Sequence, residues 1–78
     1  MLMLLTLKVD PDRVSAICQD LIRFGHVRKV LEVTGEFDVF ALVEAKSVKD
    51  FRDFLEERVS KLPGVRRTET YLVLEEWK

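Results

Sequence analysis

Apolar positions recur along this chain with two periods, about 2 and about 3.6 residues, and the switches between them mark its elements. Residues 1–9, Met-Leu-Met-Leu-Leu-Thr-Leu-Lys-Val, are apolar at odd and even positions alike, as a central strand covered on both faces would be. Asp10-Pro11 ends the run: Asp10 is placed as a helix N-cap, Pro11 at the first helical position, and Asp12 adds negative charge to the first turn. Val14, Ile17, Cys18, Leu21 and Ile22 then form one helical stripe. Arg23 complements the helix end, and Gly25 is read as its left-handed stop.

Residues 27–45 read as an antiparallel hairpin turning through Thr34-Gly35-Glu36-Phe37-Asp38. Its second arm is apolar on both sides, with Phe37, Val39, Ala41 and Val43 pointing one way and Phe40 and Leu42 the other. Ser47, followed three residues on by Asp50, resembles a capping box with aspartate in place of glutamate. The helix it opens turns Val48, Phe51, Phe54, Leu55, Val59 and Leu62 inward. Lys49/Asp53, Arg52/Glu56 and Glu57/Lys61 lie four apart on its solvated face, each pair worth about 0.3 kcal/mol. Leu62-Pro63-Gly64-Val65 is a stop and turn. A last strand over residues 65–75 puts Thr68, Thr70, Leu72 and Leu74 on one side and Arg67, Glu69, Tyr71, Val73 and Glu75 on the other, before a tail holding Trp77.

The order β-α-β-β-α-β predicts an α+β, ferredoxin-like domain over residues 1–78, with no linker, repeat or second domain. Two right-handed crossovers place both helices on one face of a four-stranded antiparallel sheet. The other face carries part of residues 1–5, 37–43 and 71–74. An uncovered apolar face of that extent marks an association surface, so a homo-oligomer is expected, beginning with a two-fold dimer packed sheet against sheet.

Composition narrows the function. Thirteen basic and 14 acidic residues give a net charge of −1, which provides no general attraction to nucleic acid or anionic membranes. Cys18, the single cysteine, forms no internal disulfide or cysteine-based metal site and suits a reducing cytoplasm. The apolar start lacks a basic region and a cleavage site and is too short to span a bilayer. No cofactor is implied, and no nucleophile and base are paired in a way that suggests an enzyme. His26, the only histidine, is assigned a structural or surface role at the end of the first helix. Arg66-Arg67 and Arg28-Lys29 are expected to gather basic charge at one sheet end, solvated or paired with acids.

Four sequence features taken in order, Thr34-Gly35-Glu36-Phe37-Asp38, Leu62-Pro63-Gly64-Val65, the Thr68/Thr70 pair and Val73-Leu74-Glu75-Glu76, resemble the C-terminal effector-binding domain of the leucine-responsive/asparagine-responsive (Lrp/AsnC) transcription regulators. The resemblance spans essentially the whole chain. It implies binding of small amino acids at contacts between dimers and assembly to dimers, tetramers or octamers. In that family a helix-turn-helix domain normally comes first, whereas here Met1 already lies in the first strand. The likeness is therefore to the stand-alone form, with no direct DNA contact and with mixed assembly with full-length Lrp/AsnC regulators left open.

The resemblance also implies a ligand-binding set of Thr34, Gly35, Glu36, Phe37, Asp38, Thr68 and Thr70. A free α-amino acid needs acceptors for its ammonium and donors for its carboxylate. Asp38 is assigned the first task; backbone N–H groups near Gly35, with the Thr34 hydroxyl, take the second. The residues alone allow Gly35 as a turn glycine as readily as a ligand contact, and favour Asp38 as a loop cap or ion-pair partner and Thr68 and Thr70 as ordinary strand threonines.

Other functions common on this topology fit less well. Residues 38–43 lack the basic and aromatic character of an RNA-binding strand, the first loop has no Cys-x-x-Cys for a metallochaperone, and its two aspartates would repel the phosphate of an acylphosphatase. An ACT-like regulatory subunit of a metabolic enzyme and a purely structural assembly domain are the remaining alternatives.

Overall fold

A computed structural model describes residues 1–78. Its elements are β1 (Leu2–Val9), α1 (Val14–Leu21), β2 (Val27–Glu32), β3 (Val39–Glu44), α2 (Val48–Glu57) and β4 (Val65–Leu72), with 3-10 turns at Pro11–Arg13 and Val59–Lys61. The strands order as β2-β3-β1-β4, every neighbouring pair antiparallel. This is the ferredoxin-like arrangement, and the two strands that are apolar on both sides, β1 and β3, occupy its centre.

Strand alternation divides the sheet cleanly. Met3, Leu5 and Leu7 stand opposite Val43, Ala41 and Val39. All six are buried in one cluster with Ile17 and Leu21 of α1 and with Phe51, Phe54 and Val59, so both helices cover the same face.

The ends of α1 depart from the sequence reading. Asp10 makes no side-chain cap, because its carboxylate is held by Arg66 instead, and Pro11–Arg13 wind as a 3-10 turn before the helix proper. At the other end the last turn tightens: Arg23 N–H donates to Asp20 O and Phe24 N–H to Leu21 O, both at 3.1 Å. Such i→i+3 bonds satisfy the terminal carbonyls without a left-handed residue, and Gly25 does not take positive φ. Ile22 falls just past the helix and is 66% exposed rather than part of the stripe.

Ser47 caps α2 as expected, accepting from Asp50 N–H at 3.0 Å. The reciprocal contact differs. One Asp50 oxygen accepts from Lys46 N–H at 2.8 Å, and the other lies 3.1 Å from His26 Nε2. His26 in turn stacks on Phe54 (centroids 4.7 Å apart), which meets Phe24 edge-on at 5.6 Å. The lone histidine thus pins the entry to β2 against α2. The Lys46 backbone N–H, and after it His26, holds the Asp50 carboxyl below its ordinary range. A carboxyl depressed in the folded state contributes stability above its unfolded pKa, and this is lost as pH falls through the folded value. Melting temperature is expected to drop on acidification below about pH 4, and Asp50→Asn to lower it at neutral pH while flattening that acid limb.

The later part of α2 is shorter than expected. Lys49–Asp53 (2.8 Å) and Arg52–Glu56 (3.7 Å) pair, whereas Glu57 and Lys61 do not, since the helix ends at Glu57 and the following 3-10 turn breaks the four-residue spacing. Val59 is buried from that turn, Leu62 is extended beyond it, and Val48, in the exposed first turn, is not inward-facing. Gly64 has φ +95°, and a Cβ built there would sit 2.8 Å from Arg13 Cβ. Gly64→Ala is therefore expected to cost about 1–3 kcal/mol in urea unfolding.

β4 stops at Leu72, three residues before the expected end. Val73 N–H still donates to Leu2 O at 2.9 Å; beyond it Leu74 and Trp77 are 89% and 90% exposed. The register also separates the two basic pairs. Lys29 lies opposite Leu42, near the start of β1, and Arg67 lies opposite Lys8, near its end, so the expected single basic cluster is not formed.

Candidate functional site at the hairpin tip

On the sheet face away from the helices, Leu2, Leu4, Phe40 and Leu42 are half-buried, and Leu31 and Tyr71 are each 50% exposed. Thr6, in the middle, is covered by its neighbours and reaches Glu69 O at 3.4 Å. Lys8, Lys29, Glu44, Arg67 and Glu69 place charge of both signs around this apolar centre, as their register positions require. Tyr71 and Glu69, two apart on one face, bond through the phenol at 2.7 Å, which pushes the Tyr71 pKa up.

At one end of this face stands the connection between β2 and β3. Its base is tied to β1 and closed on itself by three bonds. Asp38 N–H donates to Leu7 O, Val9 N–H donates to Asp38 Oδ2, and Val33 N–H donates to Asp38 O, all at 2.9 Å. Lys8 Nζ is 4.0 Å from the same carboxylate oxygen. Asp38 thus splints the loop to the central strand whatever else it does. The turn needs glycine at Gly35, which has φ +120° with open space where a Cβ would project.

Phe37 belongs to this loop and leaves the Val39-Ala41-Val43 face to which alternation assigned it. It lies under Arg67, whose guanidinium carbon is 5.0 Å from the ring centroid. Arg67 Nη2 also donates to Glu36 Oε2 at 3.3 Å. Arg67 is the residue that sequence reasoning missed at this site. Strand alternation put it on the correct face, but only the β4-to-β1 register, which the sequence does not state, brings it beside the tip.

The seven residues of the expected ligand set fall into two groups. Thr34, Gly35, Glu36, Phe37 and Asp38 are contiguous at the tip, with Thr34 exposed. Thr68 and Thr70 lie opposite Leu7 and Leu5, on the helix-covered side of the edge strand. Thr68 and Arg67 border a hollow of about 290 Å³ together with Leu55, Ser60, Val65 and Arg66. Five surface hollows of about 110 to 490 Å³ are bounded by other residues, none from 34–38. The tip itself is charged and largely exposed, with Thr34, Gly35 and Glu36 open to solvent.

Chemically, the tip brings a guanidinium, an ammonium, two carboxylates and an aromatic ring together at the edge of an apolar face. Such a set recognises charged small molecules by hydrogen bonds and ion pairs. Cys18 is partly buried on α1, and burial, with Glu32 secondarily, raises its thiol pKa away from reactive thiolate. No His, Cys, Asp or Glu cluster suited to a metal occurs. No helix is long and apolar enough to cross a membrane.

The fold defines the class as a ferredoxin-like domain. The chain belongs to the Lrp/AsnC ligand binding domain family, which it matches over residues 2–78. It is 27% identical over its whole length to the HTH-type transcriptional regulator FL11 of Pyrococcus abyssi, covering 51% of that protein. The chain spans about half the length of the curated relatives it matches first, which are named as transcriptional regulators rather than enzymes. The crystal structure of TTHA0845 from Thermus thermophilus superposes with a TM-score of 0.91 at 30% identity, over 99% of this chain and 96% of that one. The transcriptional regulator NMB0573 of Neisseria meningitidis, solved as an L-Met complex, shares the fold with a TM-score of 0.90 at 18% identity, over 99% of this chain and 51% of that one.

Proposed function

We propose that this chain is an amino-acid-sensing assembly module. It dimerises through the open sheet face and binds a small amino acid at hairpin tips that meet between dimers. The observation that carries this reading is the tip itself: paired donors and acceptors suited to a zwitterion, on a projection that a second copy must enclose. A two-fold operation also suits the open face, since its rim bears both signs of charge and its centre is apolar. The L-Met complex of the Neisseria regulator supports an amino acid as the ligand class.

Binding at a shared site stabilises the assembly it bridges, and assembly tightens binding in return. The module acts in the cytoplasm, alone or mixed with full-length Lrp/AsnC regulators, where ligand-dependent assembly alters transcription without direct DNA contact by this domain. Within the assembly, Thr68 and Thr70 are supplied to the tip by a neighbouring copy.

Asp38→Asn tests the assignment while keeping an acceptor for the Val9 N–H. Calorimetric titration with the tightest-binding amino acid is expected to show affinity reduced about tenfold or more, the loss of one charge-assisted bond. Unchanged affinity would remove Asp38 from the site and leave it as the loop splint alone.

A further inference from the structure

We propose that Arg67 is the group that receives the carboxylate of the ligand at the tip. This inference rests on the reading of the tip as an amino-acid site and adds a charged side-chain donor to the neutral ones that the reading names. A carboxylate is held best by two parallel N–H donors in one plane, which the guanidinium offers and a hydroxyl or a single backbone N–H does not.

Two backbone donors near the tip are committed, which leaves the N–H groups within the turn and the Thr34 hydroxyl as neutral donors. Val33 N–H and Asp38 N–H, which flank the turn, are spent on Asp38 O and Leu7 O. Lys8 is directed at Asp38, and Arg66 is held by Asp10. Arg67 combines a full charge with spare donors in one plane: one Nη2 bond to Glu36 at 3.3 Å is its only side-chain hydrogen bond, out of five N–H groups, whereas Lys8 is a point charge 4.0 Å from Asp38. The Phe37 ring beneath it, 5.0 Å from the guanidinium carbon, fixes where those donors point.

Glu36 takes on a definite part in this arrangement. It is a carboxylate of the chain itself, 74% exposed, engaging the guanidinium by one long bond. An incoming α-carboxylate takes the free edge of the guanidinium or exchanges with Glu36, and Asp38 accepts from the ammonium. The selectivity that follows is for a free α-carboxylate. An amino-acid amide, which keeps the ammonium and side chain, is discriminated against.

The test is calorimetry on the full chain, using the tightest binder among the twenty amino acids, L-methionine first, and its α-carboxamide. Wild type is expected to prefer the acid roughly tenfold to hundredfold. Arg67→Gln loses that preference, and the two ligands bind with equal, weakened affinity. Arg67→Lys, which keeps the charge and can still pair with Glu36 but lacks two coplanar donors, loses most of the preference as well. An acid-over-amide preference that survives in Arg67→Gln overturns the proposal. So does an Arg67→Lys variant that keeps the full wild-type preference, since a positive charge would then suffice without the paired donors. If no amino acid binds the wild type, the sensing function itself fails, which is a different result from wild-type binding that is indifferent to Arg67.

Discussion

Replacing Leu42 by aspartate is expected to leave the chain folded and to make it monomeric. Leu42 sits at the centre of the open face, opposite Leu4 on β1 and Lys29 on β2, while its neighbours Ala41 and Val43 point into the helix-covered core and are untouched. In an isolated chain the new carboxylate reaches water. In a sheet-to-sheet dimer the two-fold buries two of them without partners, costing roughly 4 kcal/mol in total or more, about a thousandfold in dissociation constant. Light scattering after size exclusion reads the mass directly. A variant that keeps the wild-type mass would place the contact elsewhere.

Phe54→Ala has the largest expected effect on folding. Phe54 is 3% exposed and is the hub of the α2 face, in ring contact with Phe24, His26 and Phe51. Truncating it opens a cavity and removes the surface on which His26 is stacked, so about 3–5 kcal/mol is lost. A domain of 78 residues has a total stability of order 4–12 kcal/mol. The variant is therefore largely unfolded at 37 °C or shows a urea midpoint far below wild type, and oligomerisation does not hide the loss unless association rescues the core. A cost under about 1 kcal/mol would mean that the helix is held chiefly by its polar end contacts.

The architecture was readable in the chain because the periodicities conflict nowhere. The apolar residues at odd and even positions of β1 and β3 require central strands, the Ser47 cap starts α2, and the Thr34–Asp38 turn and Pro63-Gly64 fall in the connections before β3 and β4. Boundaries were harder. Asp10 has the chemistry of an N-cap, but a salt bridge to Arg66, 56 residues away in sequence, claims its carboxylate. Gly25 looks like a left-handed stop, yet α1 closes with i→i+3 bonds. The tip shows the same division between local and long-range information. Thr34 to Asp38 are contiguous, so their grouping is visible in sequence, whereas Arg67 joins them only through strand register. Asp38 carries two meanings at once, since the same carboxylate that splints the loop to Val9 faces the proposed ligand.

The most direct test of the central claim, that ligand is held between copies, is the solution mass of the purified chain with and without each amino acid, measured by light scattering alongside the melting temperature. At least one amino acid is expected to raise the mass from dimer toward tetramer or octamer and to raise the melting temperature with concentration, as binding to an assembled state requires. Mass and melting temperature indifferent to all twenty would contradict the claim and leave a ligand-free scaffold.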